Sequence, residues 1–140
     1  MITALDTNVL VALWDNDYAL NSAALAALDD AFARGGLVIS GAVFAELMAF
    51  PERTEGFLDK FLADTQVSVD WISNETIWRT AGLAFRAYAD RRRKQGSDGP
   101  RRILADFLIG AHAFENGYGL LTLDDGIYRA AFPKLPIFRV

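Results

Sequence analysis

The sequence predicts an α/β fold in which helices cover both faces of a mostly parallel sheet. Short apolar runs alternate with stretches of helical periodicity along the whole chain, and no internal repeat or low-complexity linker interrupts them. Because such alternation requires right-handed crossover connections, successive strands are expected to be parallel. A length of 140 residues suits a single domain, so we expect one domain over residues 1–140.

The strands are predicted from short apolar runs bounded by turn or cap residues. Residues 37–40 are uniformly apolar up to Ser40, which is typical of a buried strand, whereas 67–71 alternates polar and apolar side chains like a half-exposed one. The five predicted strands are 2–5, 37–40, 67–71, 118–122 and 136–140.

The helices are predicted from spacing and end signals. Gly35 and Gly36 end a helix that Asn21 or Ser22 begins, and its expected buried stripe is Leu25, Leu28 and Phe32. A loop is expected at 95–101, where glycine, serine and proline cluster. The predicted helices are 9–14, 21–34, 41–50, 54–64, 74–94, 102–115 and 124–131.

Composition excludes several chemistries. The chain has no cysteine, which rules out disulfides, thiolate zinc sites and cysteine nucleophiles. It has one histidine, His112, which rules out a paired-histidine nuclease mechanism and is expected to be a satisfied or exposed polar residue. The first residues lack the basic segment of a signal peptide, and no apolar run is long enough to span a membrane. We therefore expect a cytoplasmic protein without a membrane segment.

The charge is unevenly distributed. The net charge is −4, yet seven of the 14 Lys and Arg residues lie between positions 86 and 102, where there are only two acids. Arg91, Arg92 and Arg93 either complement the dipole at a helix end or form a strip that contacts phosphates. The sequence leaves both interpretations open.

Four acids occupy positions where a parallel sheet places its ligands. Asp6 directly follows the first strand, and Asp124 comes two residues after the strand that ends at Thr122. Glu46 lies on the helix after the second strand, and Asp106 lies near the start of a later helix. The carboxyl ends of parallel strands share one edge of the sheet, so these four carboxylates are expected to meet there.

An acid within an apolar helical run is costly unless it is paired or bound to a metal. Two carboxylates ~5 Å apart repel by about 3 kcal/mol at an effective dielectric of 20. A hard divalent cation is the simplest compensation, and oxygen ligands favour Mg²⁺, with Mn²⁺ as a substitute. Taken singly, each acid has an ordinary interpretation: a helix N-cap for Asp6, a solvent-directed side chain for Glu46, a helix N-terminal charge for Asp106 and a turn residue for Asp124.

These segments resemble a protein family. The run MITALDTNVLV, the run VFAELMAF, and the pattern Asp106-x-Leu108-Ile109-x-Ala111 followed by Gly117 and Leu121-Thr122-x-Asp124 resemble a PIN domain, and most closely the VapC-type toxins of toxin–antitoxin pairs. The resemblance implies a three-layer, PIN-like fold around a five-stranded sheet. It also implies endoribonuclease activity on RNA, a homodimer and a protein antitoxin that blocks the site.

The resemblance further assigns residues. Asp6, Glu46, Asp106 and Asp124 would be the catalytic and metal-binding acids, although Asp125 competes with Asp124 for the fourth place. Spacing from the preceding threonine favours Asp124. The resemblance also implies that Thr7, Asn8 and Thr122 accompany the acids. We infer from their positive charge that Arg102, Arg91, Arg92 and Arg93 contact substrate phosphates. These seven residues are the candidates for substrate binding.

Two rival functions stay open at this point. A Mg²⁺-dependent aspartyl-phosphate hydrolase would have a second acid two residues after Asp6, where this chain has Asn8, and a phospho-receiver would have a late lysine at a strand end, for which Lys134 is poorly placed. The other rival is a non-catalytic, metal-free binding module on the same fold. Trp71 and Trp78 are expected in the core or at an interface, and Trp14 and Tyr18 are candidates for a partner surface.

Overall fold

A computed structural model describes residues 1–96 and 102–140 of the chain. Its sheet has five strands in the order β3-β2-β1-β4-β5, and every pairing is parallel. This confirms the predicted α/β class and the five-stranded sheet flanked by helices. The strands are β1 (Thr3–Leu5), β2 (Leu37–Ser40), β3 (Val67–Asp70), β4 (Gly119–Thr122) and β5 (Ile137–Arg139).

The predicted helices are all present in the described ranges, with ends that differ by a few residues. Asp6 begins the first helix two residues earlier than predicted because its carboxylate accepts the Thr7 amide hydrogen. Gly96, in the left-handed region at φ 55°, ends the long helix one residue later than predicted, and most of the predicted 95–101 loop lies outside the described residues. The helices are α1 (Thr7–Ala12), α2 (Asn21–Arg34), α3 (Gly41–Met48), α4 (Glu55–Asp64), α5 (Glu75–Gln95), α6 (Leu104–Glu115) and α7 (Gly126–Ala131).

The strand order explains where a ligand site belongs. The chain winds outward from β1 to β2 and β3 on one side, and the later strands β4 and β5 extend the sheet on the other. The order therefore reverses between β1 and β4. In open parallel sheets, the crevice beyond the carboxyl ends of such a strand pair is the usual ligand site.

The core lies on both faces of the three central strands. Leu5, Ile39 and Leu120 are fully buried, and Phe107 of α6 packs flat against Phe85 of α5 with ring centroids 4.8 Å apart. Strand β3 is an edge strand, which accounts for the alternating burial predicted for it.

Some burial predictions were wrong. On α2, Leu28 is buried as predicted, but Leu25 and Phe32 are 51% and 46% exposed, and Ala24 and Ala31 complete the inward face in their place. Small side chains bring α2 close to the sheet, so the larger ones at the flanks of the stripe remain outside. Trp71 and Trp78 are also exposed, which excludes the core and leaves the interface interpretation untested.

No helix in the described parts of the chain has the length and apolar character needed to cross a membrane.

Candidate metal centre

Asp6 is the most deeply buried acid of the site. It follows β1 and is only 7% exposed, and its Oδ1 accepts the Thr7 amide hydrogen at 2.8 Å. Its Oδ2 accepts two hydroxyl hydrogen bonds, from Thr122 at 2.8 Å and from Tyr128 at 3.0 Å. Burial raises the pKa of Asp6 from 3.8 to about 6, because the three hydrogen bonds only partly offset the loss of solvent.

Glu46 is held across the site from Asp6 by a neighbouring hydroxyl. The Thr7 hydroxyl donates to Glu46 Oε1 at 2.7 Å, which links the first turn of α1 to α3. Val43 and Leu47, on the same helix, are completely buried and anchor α3 against the core. The position of Glu46 is therefore fixed both by helix packing and by a hydrogen bond to an adjacent segment.

Asp106 lies half-buried on α6. Burial raises its pKa; the positive charge of Arg102 opposes the increase, while the negative charges of Glu46 and Asp124 add to it. The same ionised Asp106 also contributes to the raised pKa of Asp6. The acids therefore interact electrostatically even though they come from distant parts of the chain.

Asp124 is the exposed member of the group. Arg102 Nη2 donates to its Oδ2 at 3.0 Å, and this ion pair raises the pKa of the arginine. The neighbouring Asp125 is instead bound by Arg129, four residues further on. Of the two adjacent acids, Asp124 is the one that lines the site.

Two polar side chains join β4 to the start of α1. The Thr122 hydroxyl, which donates to Asp6, also accepts the Asp124 amide hydrogen at 3.1 Å. Asn8 Oδ1 accepts the Leu123 amide hydrogen at 3.2 Å. Thr122 is completely buried, so in this conformation it positions Asp6 and does not face a substrate.

The four predicted acids line one cavity of about 320 Å³, which we call the acidic cavity. Arg102 is the only cation lining this cavity among residues 1–96 and 102–140. Besides the acids and Arg102, the walls contain Thr7, Asn8, Val11, Phe50, Ile127 and Tyr128.

The donor chemistry of the acidic cavity fits a hard divalent cation. All four acids offer carboxylate oxygens, the ligands that Mg²⁺ and Mn²⁺ prefer, and burial with like-charge repulsion disfavours ionised Asp106 unless a positive charge compensates. Within the described ranges, however, no three acid or histidine side chains are close enough to form a ligand set as they stand. Ligation therefore requires side-chain rotation, for which the exposed Asp124 has the most freedom.

Two tyrosines support the site and were not among the predicted site residues. Tyr128 is 1% exposed and donates to Asp6, and the Tyr88 hydroxyl accepts the Arg102 amide hydrogen at 2.7 Å. A buried tyrosine normally has a partner for its hydroxyl. The partner of Tyr128 is 122 positions away in sequence, so its contact with Asp6 becomes evident only in the folded chain.

The arginine strip lies away from the acidic cavity. Arg91, Arg92 and Arg93 are in the last turns of α5 and do not line it. Arg93 is paired with Asp90, and the Arg92 guanidinium lies 5.8 Å from the Tyr88 ring centroid. Any contact of these arginines with a substrate would therefore be outside the cavity.

His112 belongs to a separate cluster. It is 3% exposed, and its Nε2 lies 2.9 Å from Asp70 Oδ2. This agrees with the prediction of a satisfied histidine that is not part of the carboxylate site.

A family model of the PIN domain matches residues 3–133. No curated protein sequence gives a significant match.

Several solved structures share the fold at low identity. VapBC-1 from nontypeable Haemophilus influenzae is 24% identical, with a TM-score of 0.67 over 99% of this chain and 98% of that one. A toxin–antitoxin complex from Klebsiella pneumoniae is 19% identical, with a TM-score of 0.67 over 99% of both chains. VapC20 from Mycobacterium tuberculosis, described as a sarcin–ricin loop cleaving toxin, is 14% identical, with a TM-score of 0.57 over 91% of this chain and 94% of that one.

The family match spans nearly the whole chain, and the parallel sheet with acids beyond β1 and β4 agrees with it. The chain belongs to the PIN domain family.

Proposed function

We propose that this protein is a Mg²⁺-dependent endoribonuclease and the toxin of a toxin–antitoxin pair. The observation that carries the proposal is the acidic cavity, where Asp6, Glu46, Asp106 and Asp124 come together from four separate segments. A cavity lined by four acids and one arginine needs a cation for electrostatic balance. A cation held there attracts a phosphodiester.

Asp6 and Asp106 are proposed to anchor the ion, and Glu46 and Asp124 to complete its coordination or hold its waters. A bound Mg²⁺ would supply a water of lowered pKa and positive charge for the phosphoryl oxygens. Mn²⁺ should substitute for Mg²⁺, because both prefer oxygen ligands.

The chain's own side chains prepare this site. Thr122 and Tyr128 hold Asp6 Oδ2 and fix the orientation of the carboxylate. With the Thr7 amide bound to Oδ1, one lone pair of Oδ1 remains for another contact. Thr7 does the same for Glu46. These hydrogen bonds keep two acids near each other in the absence of a cation.

Arg102 is proposed to bind a substrate phosphate. Its guanidinium has five N–H donors, and the ion pair with Asp124 uses Nη2. The remaining donors are available to phosphate oxygens next to the carboxylates. Arg91, Arg92 and Arg93 are proposed to contact the RNA backbone beyond the cavity.

The partner proposals come from similarity. The Klebsiella pneumoniae structure is a toxin–antitoxin complex, and VapC20 is described as cleaving the sarcin–ricin loop. We extend both features to this chain as proposals: an RNA substrate and a protein antitoxin. A cytoplasmic location would follow from such a role.

The homodimer is proposed to use an exposed apolar surface beside β3. Trp71, Ile72 and Trp78 are 65%, 71% and 50% exposed, and Phe44 packs edge-on against Trp71 with ring centroids 4.8 Å apart. Large apolar patches on a monomer usually mark an interaction site. Sedimentation of the wild-type chain and of Trp71→Ser tests this assignment.

An RNA cleavage assay tests the proposed activity. Asp6→Asn and Asp106→Asn should abolish Mg²⁺-dependent cleavage of a structured RNA, as should EDTA. Asp125→Asn is the matched control, because this acid is adjacent to Asp124 but does not line the acidic cavity. Cleavage that survives chelation or either cavity variant would contradict the proposal.

Two further measurements separate the rival functions. Beryllofluoride trapped on an aspartate would favour the phosphohydrolase or receiver alternative. A calorimetric titration without Mn²⁺ binding would favour the metal-free binding module. Growth arrest on expression, relieved by co-expression of the upstream reading frame, tests the toxin role separately from the nuclease chemistry.

A further inference from the structure

A second cavity adjoins the acidic cavity and is of a different character. It has a volume of about 390 Å³ and mostly apolar walls, and we call it the aromatic cleft. The two cavities share the wall residues Asn8, Val11 and Phe50. The other residues that line the cleft are Ala12, Trp14, Asp15, Tyr18, Arg53 and Leu123. A ligand with a phosphate at the carboxylates can therefore extend from the acidic cavity into the cleft. The size lies within the range of ~300–1,000 Å³ that is usual for small-ligand sites.

The wall of the aromatic cleft presents fixed aromatic rings. Trp14 is held edge-on by Phe50, Phe57 and Phe61, with ring centroids 5.5 to 5.6 Å away. Tyr18 is 43% exposed, in the segment between α1 and α2. Aromatic faces beside positive charge are the surfaces on which nucleobases stack.

Arg53 supplies that positive charge. Its guanidinium lies 5.4 Å from the Trp14 ring centroid and 5.0 Å from that of Phe57. Across residues 1–96 and 102–140, no carboxylate is within ion-pair distance of it. Its Nη2 donates to the Trp14 carbonyl oxygen at 3.4 Å, which leaves the positive charge itself available to a phosphate or to the acceptor atoms of a base.

Two hydrogen-bond donors in the same wall lack acceptors. Trp14 Nε1 and Arg53 Nε are buried and have no hydrogen-bond partner in the described part of the chain. Their burial keeps both atoms out of reach of a ligand in this conformation, so only a movement of Trp14 or Arg53 would bring them to acceptors such as the carbonyl oxygens and ring nitrogens of nucleobases.

We propose that the aromatic cleft binds the base of the nucleotide whose phosphate lies in the acidic cavity. This inference rests on the proposed function, because it takes RNA as the substrate. Adjacency to the carboxylates and the positive charge of Arg53, which has no carboxylate partner among residues 1–96 and 102–140, favour a nucleotide over an apolar protein segment. The cleft would then select which base flanks the cleaved bond, with Tyr18 and Arg53 as specificity-determining residues.

Binding of small phosphates tests the cleft without relying on cleavage. Each of the four ribonucleoside 5′-monophosphates and ribose 5-phosphate is titrated into the Mg²⁺-loaded protein and followed by NMR. At least one nucleotide should bind about tenfold more tightly than ribose 5-phosphate, as expected for one base stacked on aromatic rings. Tyr18→Ala and Arg53→Gln should bring this ratio close to one.

Controls keep the result specific to the cleft. Tyr18→Phe retains the ring and should keep most of the preference for a nucleotide over ribose 5-phosphate. Arg79→Gln is the control for loss of a positive charge, because it removes an exposed arginine of α5 that is paired with Glu75 outside the cleft. Trp14 is left unchanged because it packs among three phenylalanines. The thermal unfolding midpoint of each variant verifies that it folds.

The outcomes separate this inference from the proposed function. Equal affinity for ribose 5-phosphate and all four nucleotides would overturn the base site, and so would a base preference that both cleft variants retain. If the variants weakened antitoxin binding alone, the cleft would be assigned to a protein segment instead. A base preference in a protein that does not cleave RNA would contradict the nuclease and keep the base site.

Discussion

Asp6 should make the metal-free protein more stable as the pH falls from 7 to 5. Burial raises the pKa of this carboxyl from 3.8 to about 6 in the folded chain. The folded protein therefore binds a proton in a pH range where the unfolded chain has released it. Stability rises with pH only where the unfolded state binds more protons, so here it falls as the pH rises through about 6.

The size of the effect follows from the two pKa values. A shift from 3.8 to about 6 corresponds to about 3 kcal/mol over the full titration, of which about 1 kcal/mol falls between pH 7 and pH 5. The raised pKa of Asp106 acts in the same direction. Asp70 and Asp125 have lowered pKa values, so they remain ionised in this window and their stabilising effect is lost only at lower pH.

Urea unfolding in EDTA at both pH values measures this effect. Asp6→Asn is the control, because the other titrating groups are common to both proteins. Between pH 7 and pH 5, the free energy of unfolding of the wild type should increase by about 1 kcal/mol more than that of the variant. Mg²⁺ at 100 times its dissociation constant should add about 2.7 kcal/mol at pH 7 and less at pH 5, because protons compete for the same carboxylates.

An identical pH dependence in the wild type and in Asp6→Asn would refute this reasoning. It would mean that Asp6 stays ionised in the folded, metal-free protein throughout the window. The three hydrogen bonds would then outweigh burial, and the carboxylate would have no electrostatic need for a cation.

Two further changes give independent tests. Tyr128→Phe removes a hydroxyl that donates to Asp6 and should leave the fold unchanged. Calorimetry should show that the dissociation constant for Mn²⁺ rises about tenfold. Gly110→Ala should destabilise the protein by about 2 kcal/mol in urea unfolding, because the new Cβ would lie 2.2 Å from the buried Phe132 ring. Gly82→Ala is its control: nothing lies within 4 Å there, so the better helix propensity of alanine should stabilise the protein by about 0.5–1 kcal/mol. Equal responses at the two glycines would contradict the packing argument.

The positions of the acids along the fold followed from sequence because strand ends are local features. Asp6 directly follows β1 and Asp124 closely follows β4, and these neighbouring parallel strands end at the same edge of the sheet. Asp106 and Glu46 were identified as acids within apolar helical runs, which are costly without a partner. The roles of these residues stay a proposal, whereas their common cavity is a property of the fold.

Features that depend on long-range packing were not predicted. Helical spacing identified Leu28 at the centre of the buried face of α2 but not the residues on either side of it. Leu25 and Phe32 are exposed because small side chains set the approach of α2 to the sheet. Tyr128 reads as an ordinary core residue until the fold brings its hydroxyl to Asp6, 122 positions away in sequence. The arginine strip at residues 91–93 was evident from the sequence as a cluster of positive charge. Its position relative to the acidic cavity depends on the packing of α5 and was not predicted.

A calorimetric titration with Mn²⁺ at pH 7 tests the central claim most directly, because it measures cation binding by the four carboxylates without assuming a substrate. The wild type should bind Mn²⁺, and Asp125→Asn should bind it with the same affinity. Asp6→Asn and Asp106→Asn should not bind it. Wild-type protein that binds no Mn²⁺, or cavity variants that bind it as well as the wild type, would contradict the metal centre.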